Sequence, residues 1–363
     1  MSRVRAVILM SVYLIVLLLL FDFLYSTFWL EAPALPGIPH PVYNHTLAPN
    51  FRGTHQWGER RYELRTNNLG FKDARVRDVE LKPAGRRVVL IGDSFTEAIG
   101  LPFQETFAGM LYEAGQNRLQ KVEILNAGVA TYSPSLYYRK IKDLIGHGLQ
   151  FDELVVLPDI SDIIDEATSY FCFDDDPQYR VYCNKPSSAS ANSSHVKKCP
   201  FLECSFVVTD TLRVLIKFKI RQWLGNVERD IFELSPRDGW SLPNYNPGDL
   251  YAPLGVEGSI TRALQNMQKL ADLLAQHHIA LSIAVYPWPA SLAFDDRDSR
   301  QVAIWRQFCA VNKCKSFINL FPVFFAEKDA HPDWYRRYYF YGDFHFNAAG
   351  NRLIYETLAK HLL

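Results

Sequence analysis

The chain has 363 residues and carries 39 Lys plus Arg against 39 Asp plus Glu, a formal net charge of zero. That balance argues against a nucleic-acid binder, which needs a cationic surplus to displace counterions from phosphates. With 48% hydrophobic residues, including 24 Phe, 19 Tyr and 7 Trp, the chain can build a large core, and disorder is excluded for most of its length.

Ala6 to Leu30 contains one charge, Asp22, and would span about 37 Å as a helix, enough to cross a bilayer. Arg3 and Arg5 precede it and no Lys or Arg follows until Arg52. The positive-inside rule therefore leaves residues 1–5 in the cytoplasm and sends the rest to the periplasmic or extracellular face, with Asp22 near the outer interface. A cleaved signal peptide ending at Ala32-Pro33-Ala34 is the alternative; the apolar run exceeds the usual h-region, which favours the uncleaved single-pass anchor. Residues 31–41 hold four prolines and a glycine and suit a stiff spacer. Residues 42–85 mix aromatics with turn residues and are expected to form a short β-rich lead-in.

Apolar runs then alternate with helical segments. Strand-like runs fall at 86–94, where Gly92-Asp93-Ser94 ends the run, and at 121–128, 152–159, 279–287 and 315–320. Helical patterns fall at 104–116, 135–146, 160–170, 260–276, 300–311 and 348–361. This rhythm predicts an α/β domain over 86–363, with parallel strands and crossover helices on both faces. It stops between residues 171 and 258, a segment with four of the six cysteines, the polar stretch 184–195 and an amphipathic pattern around 211–224. This segment is expected to be an insertion over the carboxyl ends of the strands, a candidate lid.

Cys172 with Cys183, Cys199 with Cys204, and Cys309 with Cys314 are three locally spaced pairs without a C-x-x-C motif. They read as disulfides of an oxidising compartment, with connectivity open. A zinc site from Cys199, Cys204, Cys309 and Cys314 is the weaker alternative, because no histidine adjoins them.

Ser94 ends an apolar strand in IGDSFTE, where an α/β sheet exposes a side chain at its carboxyl edge. A plain reading makes Asp93 and Ser94 a turn and helix cap. A serine nucleophile needs an imidazole to take its proton, and that imidazole needs an acceptor to fix its tautomer. Asp343 and His345, two apart in YGDFHFN, would emerge on one side of an extended loop, and Asn347 would cap the last helix. The two motifs together point to nucleophilic acyl chemistry.

IGDSFTE with GDFHFNAAG resembles the SGNH (GDSL-type) hydrolase superfamily over residues 86–363, apart from the insertion. The resemblance implies a three-layer α/β/α sandwich and a serine esterase or acyl transferase that needs no cofactor or metal. It implies Ser94 as nucleophile, His345 as base, Asp343 as its orienting partner and the Gly128 N–H, in LNAGVATYS, as an oxyanion donor. The D-x-H spacing, shorter than the commoner D-x-x-H, resembles a subset of envelope proteins. The third block departs from the family: where G-x-N-D is usual, this chain has Asp159-Ile160-Ser161-Asp162, with Ser161 in place of the asparagine donor. Losing one such donor typically costs about 10²–10³ in rate, and a carboxylate aimed at the oxyanion would oppose the reaction.

Trp288, between two prolines after a strand, reads as an aromatic wall for a sugar or acyl chain, or as packing beneath a loop. Asp165-Glu166 reads as a lid anchor before a metal site, and Asn44 and Asn192 begin glycosylation sequons. The expected function is a serine-dependent acyl-ester hydrolase acting on cell-envelope or exported polysaccharide. The alternatives are an O-acetyltransferase working with a multi-pass membrane acyltransferase, which rests on the resemblance, and a catalytically silent carbohydrate-binding or assembly subunit.

Overall fold

The computed structural model describes residues 3–28, 36–58, 60–170, 212, 216, 219–220, 223, 231–232, 234–243 and 245–363. Helix α1 runs over Arg3–Phe28, and its Val4–Tyr25 portion is long and apolar enough to cross a membrane. Its apolar side chains are largely exposed, whereas Asp22 is buried.

Two antiparallel ribbons follow. Strands β1 (Gly37–His40) and β2 (Asn44–Leu47) pair, as do β3 (Arg52–Trp57) and β4 (Arg60–Arg65). The proline-rich stretch is therefore not spacer to its end: Gly37–His40 is a strand, and Pro39 is tolerated because a two-stranded ribbon has only edges.

The core is a five-stranded parallel sheet of β5 (Arg86–Gly92), β6 (Val122–Asn126), β7 (Glu153–Leu157), β8 (Ala280–Val285) and β9 (Ser316–Asn319). Its order is β6-β5-β7-β8-β9, with Val89 opposite Leu125 on one side and Leu154 on the other. Val88 to Ile91 and Leu154 to Val156 are fully buried, as near-continuous apolar strands covered on both faces must be. The short helix α2 (Ser94–Glu97) follows β5 directly, then α3 (Phe107–Gln116), α4 (Pro134–Gly146) and α5 (Asp162–Thr168). After the insertion come α6 (Gly255–Gln276), α7 (Pro289–Phe294), α8 (Arg300–Asn312), α9 (Phe321–Ala330), α10 (Trp334–Tyr338) and α11 (Ala348–Leu362). Helices α3 and α11 pack together, as do α4, α6 and α8. Right-handed crossovers put the first pair on one face and the second group on the other, so the expected three-layer sandwich is the fold observed. The chain reverses its direction across the sheet after β6, crossing back over β5 to β7, so the switch-point crevice opens between the carboxyl ends of β5 and β7.

The lead-in is built into this fold. Lys72 is fully buried and donates through Nζ to the carbonyls of Ala98 (2.8 Å) and Leu101 (2.7 Å), immediately past α2. Lys140 donates to Ala127 O (3.0 Å) beneath the rings of Tyr43, Phe71 and Tyr132. Burial lowers Lys72 to about 8 and Lys140 to about 7.

Cys309 and Cys314 form a disulfide with each other, which removes two of the four ligands from the zinc alternative. Cys172, Cys183, Cys199, Cys204, Asn192 and the polar stretch 184–195 lie outside the described residues. Asn44 sits in β2 with Oδ1 against His45 Nδ1 at 2.8 Å.

Candidate active site

Strand β5 delivers Gly92, Asp93 and Ser94 to the switch point. A Cβ on Gly92 would lie 2.1 Å from Thr96 Oγ1 and 2.7 Å from Leu157 O, so only glycine lets α2 turn this tightly off the strand. Asp93 caps α2 by accepting the Phe95 N–H at 2.9 Å, as the plain reading of the motif expects. Ser94 is nevertheless more than a turn residue, because its Oγ lies 2.9 Å from His345 Nε2, across 251 positions of sequence.

The last block is tightly built. Gly342 has φ +76°, and the Asp343 N–H returns to Phe340 O at 3.0 Å, closing a turn. The Tyr335 hydroxyl braces it by accepting the Gly342 N–H at 2.8 Å. Asp343 Oδ1 then accepts both the backbone N–H (3.0 Å) and the ring Nδ1–H (2.6 Å) of His345. An ionised carboxylate can only accept, so Nδ1 carries the proton and Nε2 offers its lone pair to the Ser94 hydroxyl. Asn347 caps α11 through Ala349 N and Gly350 N and ties its own amide to the Arg337 and Tyr339 carbonyls, fixing the loop's exit. His345 is only 2% exposed and is flanked by Phe95, Phe344 and the edge of Trp57.

Trp57 and Arg60, on the β3–β4 ribbon, were not singled out from the sequence. Trp57 Nε1 donates to Asp343 Oδ2 at 2.7 Å, and Arg60 Nη1 stands 3.9 Å from the same oxygen. Burial pushes Asp343 upward, but the bonds from the His345 ring and N–H and from Trp57 outweigh it and bring the carboxyl down to about 2.

The oxyanion side differs from expectation. The Gly128 N–H is donated to Asn126 Oδ1 at 3.0 Å, and a Cβ there would meet Thr96 at 2.7 Å, so Gly128 packs its loop against α2. The Ser161 hydroxyl is donated to Asp159 Oδ1 at 2.6 Å, and the Ser161 N–H goes to the same oxygen at 2.8 Å. Trp288 is buried, donates to Asp159 Oδ2 at 2.7 Å and stacks on Phe344 at 4.3 Å; it is packing beneath the loop rather than an open wall. Both Asp159 oxygens thus hold donors. The N–H of Ser94, first in α2, has no carbonyl one helical turn earlier to accept it.

Behind Ser94 lie further carboxyls. Asp93 Oδ2 is 3.1 Å from Ser94 Oγ, and its Oδ1 accepts the Tyr286 hydroxyl at 3.2 Å. Asp162 Oδ2 accepts the Tyr137 hydroxyl at 2.9 Å and the Asp159 N–H at 3.1 Å. Burial first, and the neighbouring Asp159 second, push both Asp93 and Asp162 well above the usual carboxylate range. Glu166 accepts from Ser133, Ser135 and Arg262, clamping α5 to α4 and α6. Among the described residues, no group of three or more His, Cys, Asp or Glu is placed to hold a metal.

No family model and no curated protein sequence matches the chain. Solved structures similar to it include LAE5, an alpha/beta hydrolase enzyme from the metagenome of Lake Arreo, Spain, at 11% identity over 78% of this chain and 97% of that one, TM-score 0.40. The acetyl xylan esterase AlAXEase matches at 12% identity over 76% and 100%, TM-score 0.44. The SGNH-hydrolase family esterase AlinE4 matches at 14% over 67% and 80%, TM-score 0.33.

Proposed function

We propose that the chain is a serine-dependent acyl-ester hydrolase, held at a membrane by α1 with its α/β domain on the extracytoplasmic side, and that its substrate is an acylated envelope or exported polysaccharide. The observation that carries the chemistry is the relay from Ser94 Oγ to His345 Nε2 (2.9 Å) and from His345 Nδ1 to Asp343 Oδ1 (2.6 Å). Both links have the length that proton transfer requires. Ser94 Oγ attacks the acyl carbonyl as its proton passes to Nε2, and Asp343 stabilises the imidazolium. The oxyanion draws on the Ser94 N–H at the start of α2. Collapse expels the alcohol, which takes the proton back from Nε2. Water, deprotonated by His345, then attacks the acyl-serine, releases the acid and restores Ser94.

The test uses the full-length protein with a fluorophosphonate probe and with p-nitrophenyl acetate. Labelling and turnover that vanish in Ser94→Ala support the proposal, and equal rates in both proteins overturn it.

A second reading, a silent carbohydrate-binding or assembly subunit, draws support from the commitment of the Gly128 N–H and the Ser161 hydroxyl to internal acceptors. An O-acetyltransferase would use the same acyl-serine with a sugar hydroxyl in place of water. Acetate release without transfer to added oligosaccharide separates the hydrolase from it.

A further inference from the structure

The Ser94 hydroxyl has two neighbours at bonding distance and one proton to give. His345 Nε2 lies 2.9 Å from Oγ, and Asp93 Oδ2 lies 3.1 Å from it. Asp343 holds the His345 proton on Nδ1, so Nε2 is an acceptor and takes the hydroxyl proton. Asp93 Oδ2 then faces a lone pair of Oγ. As a carboxylate it would set lone pair against lone pair; as a carboxylic acid protonated on Oδ2 it donates to Oγ and completes the bond.

The other Asp93 oxygen shows where that proton belongs. Oδ1 accepts the Phe95 N–H at 2.9 Å, a donor fixed by the first turn of α2, and the Tyr286 hydroxyl at 3.2 Å. Tyr286 is buried, and among the described residues its hydroxyl has no other hydrogen-bond partner, so its proton points at Oδ1. With two donors already on Oδ1, the acid proton falls to Oδ2, the oxygen turned to Ser94. The titratable groups around Asp93 are Asp159, Asp162, Tyr137, Tyr286 and, across Oγ, His345. Its hydrogen-bond partners Ser94, Phe95 and Tyr286 bring no cation, and burial with Asp159 nearby raises its pKa.

We infer that Asp93 is a fourth catalytic residue, a carboxylic acid whose Oδ2–H donates to Ser94 Oγ and speeds release of the serine from the acyl-enzyme. The release step rests on the hydrolase reading above; the proton on Oδ2 does not. In deacylation the bond from the acyl carbon to Oγ breaks, its electron pair goes to Oγ, and Oγ takes the proton from His345 Nε2. Oγ is weakly basic as an ester oxygen and gains basicity as it leaves, so a hydrogen bond donated to it strengthens in that transition state. In acylation Oγ changes the opposite way and the same donor gives no help. Asp93 keeps its proton throughout.

Infrared difference spectra of the full-length protein, native minus Asp93→Asn at neutral pH, test the proton. A carboxylic-acid carbonyl band in the difference is expected; carboxylate bands in its place overturn the inference. Burst kinetics with p-nitrophenyl acetate test the release step. An asparagine amide can donate to Oγ from the Oδ2 position and cap α2 from the other. Asp93→Ala should lower the steady-state rate about tenfold while the nitrophenol burst persists, and Asp93→Asn should restore that rate to within about threefold of the native one. A loss as large in Asp93→Asn as in Asp93→Ala, or burst and steady-state rates falling together in Asp93→Ala, overturns the inference. A native protein with neither burst nor turnover would overturn the hydrolase reading and the release step with it, and the infrared band would still decide the proton.

Discussion

Two sets of carboxyl groups flank the Ser94–His345 pair, and their pKa values are displaced in opposite directions. Asp343 accepts the His345 ring, the His345 N–H and Trp57, with Arg60 nearby, and is brought down to about 2. Asp93 and Asp162 are more deeply buried than Asp343 and sit near Asp159, so burial and like charge push both up. An imidazole partner lowers the one, and burial beside another acid raises the others. The distribution also suits the proposed reaction. A carboxyl held low stands where the imidazolium forms, and carboxyls whose pKa values burial raises stand on the serine side, where negative charge develops. The acidic third block is therefore less of an obstacle than its sequence suggests, because Asp159 is saturated by Ser161 and Trp288.

Removing the relay should have the largest effect. Ser94→Ala and His345→Ala should each lower kcat for p-nitrophenyl acetate by about 10⁴-fold or more, and the double variant should be no worse than either, since the two act as a unit. Asp343→Asn should cost about 10³–10⁴-fold with little change in KM, because it unsettles the Nδ1–H tautomer; a loss confined to KM would contradict the contrast drawn above.

Trp57→Phe keeps the ring and removes one donor from Asp343, so kcat should fall by about tenfold, the worth of a hydrogen bond to a charged group. It carries a pH signature. A carboxyl depressed in the folded state adds stability above its unfolded value of 3.8, which is lost as pH falls toward about 2. In Trp57→Phe the Asp343 carboxyl should titrate higher, moving the acid edge of the stability curve upward; an unmoved edge with lower kcat would make Trp57 a packing residue only.

The smallest effect on turnover should come from Asp165→Asn. Burial first, with Asp159 and Glu166 adding and Arg237 opposing, raises Asp165 to about 7. A raised acid contributes stability that is full below 3.8 and lost as pH rises through about 7. Denaturant unfolding of Asp165→Asn should show a shallower decline between pH 4 and 7, with kcat changed by no more than about twofold.

The strand and helix rhythm was legible because parallel strands buried on both faces read as unbroken apolar runs, Val88–Ile91 above all. Ser94, Asp343 and His345 were legible because their chemistry sits in short, dense motifs at strand ends. Helices α9 and α10 were not read, since the aromatic run from Phe321 to Tyr341 packs on several sides and shows no clean period. The fates of Gly128, Ser161 and Trp288 hinge on which acceptor each donor meets, and side-chain identity alone does not say that. Trp57 reaches Asp343 across 286 positions, and no local pattern marks it.

The ribbons ahead of the sheet bear on what counts as the smallest working unit. A chain begun at Arg86 would keep every parallel strand and Ser94, Asp343 and His345. It would lack the indole that steadies Asp343 and the ammonium of Lys72 that gathers the two carbonyls just beyond α2. Trimming to the recognisable motif would thus discard side chains that bond Asp343 and the end of α2, and the folded unit that carries them begins some fifty residues earlier, near Gly37.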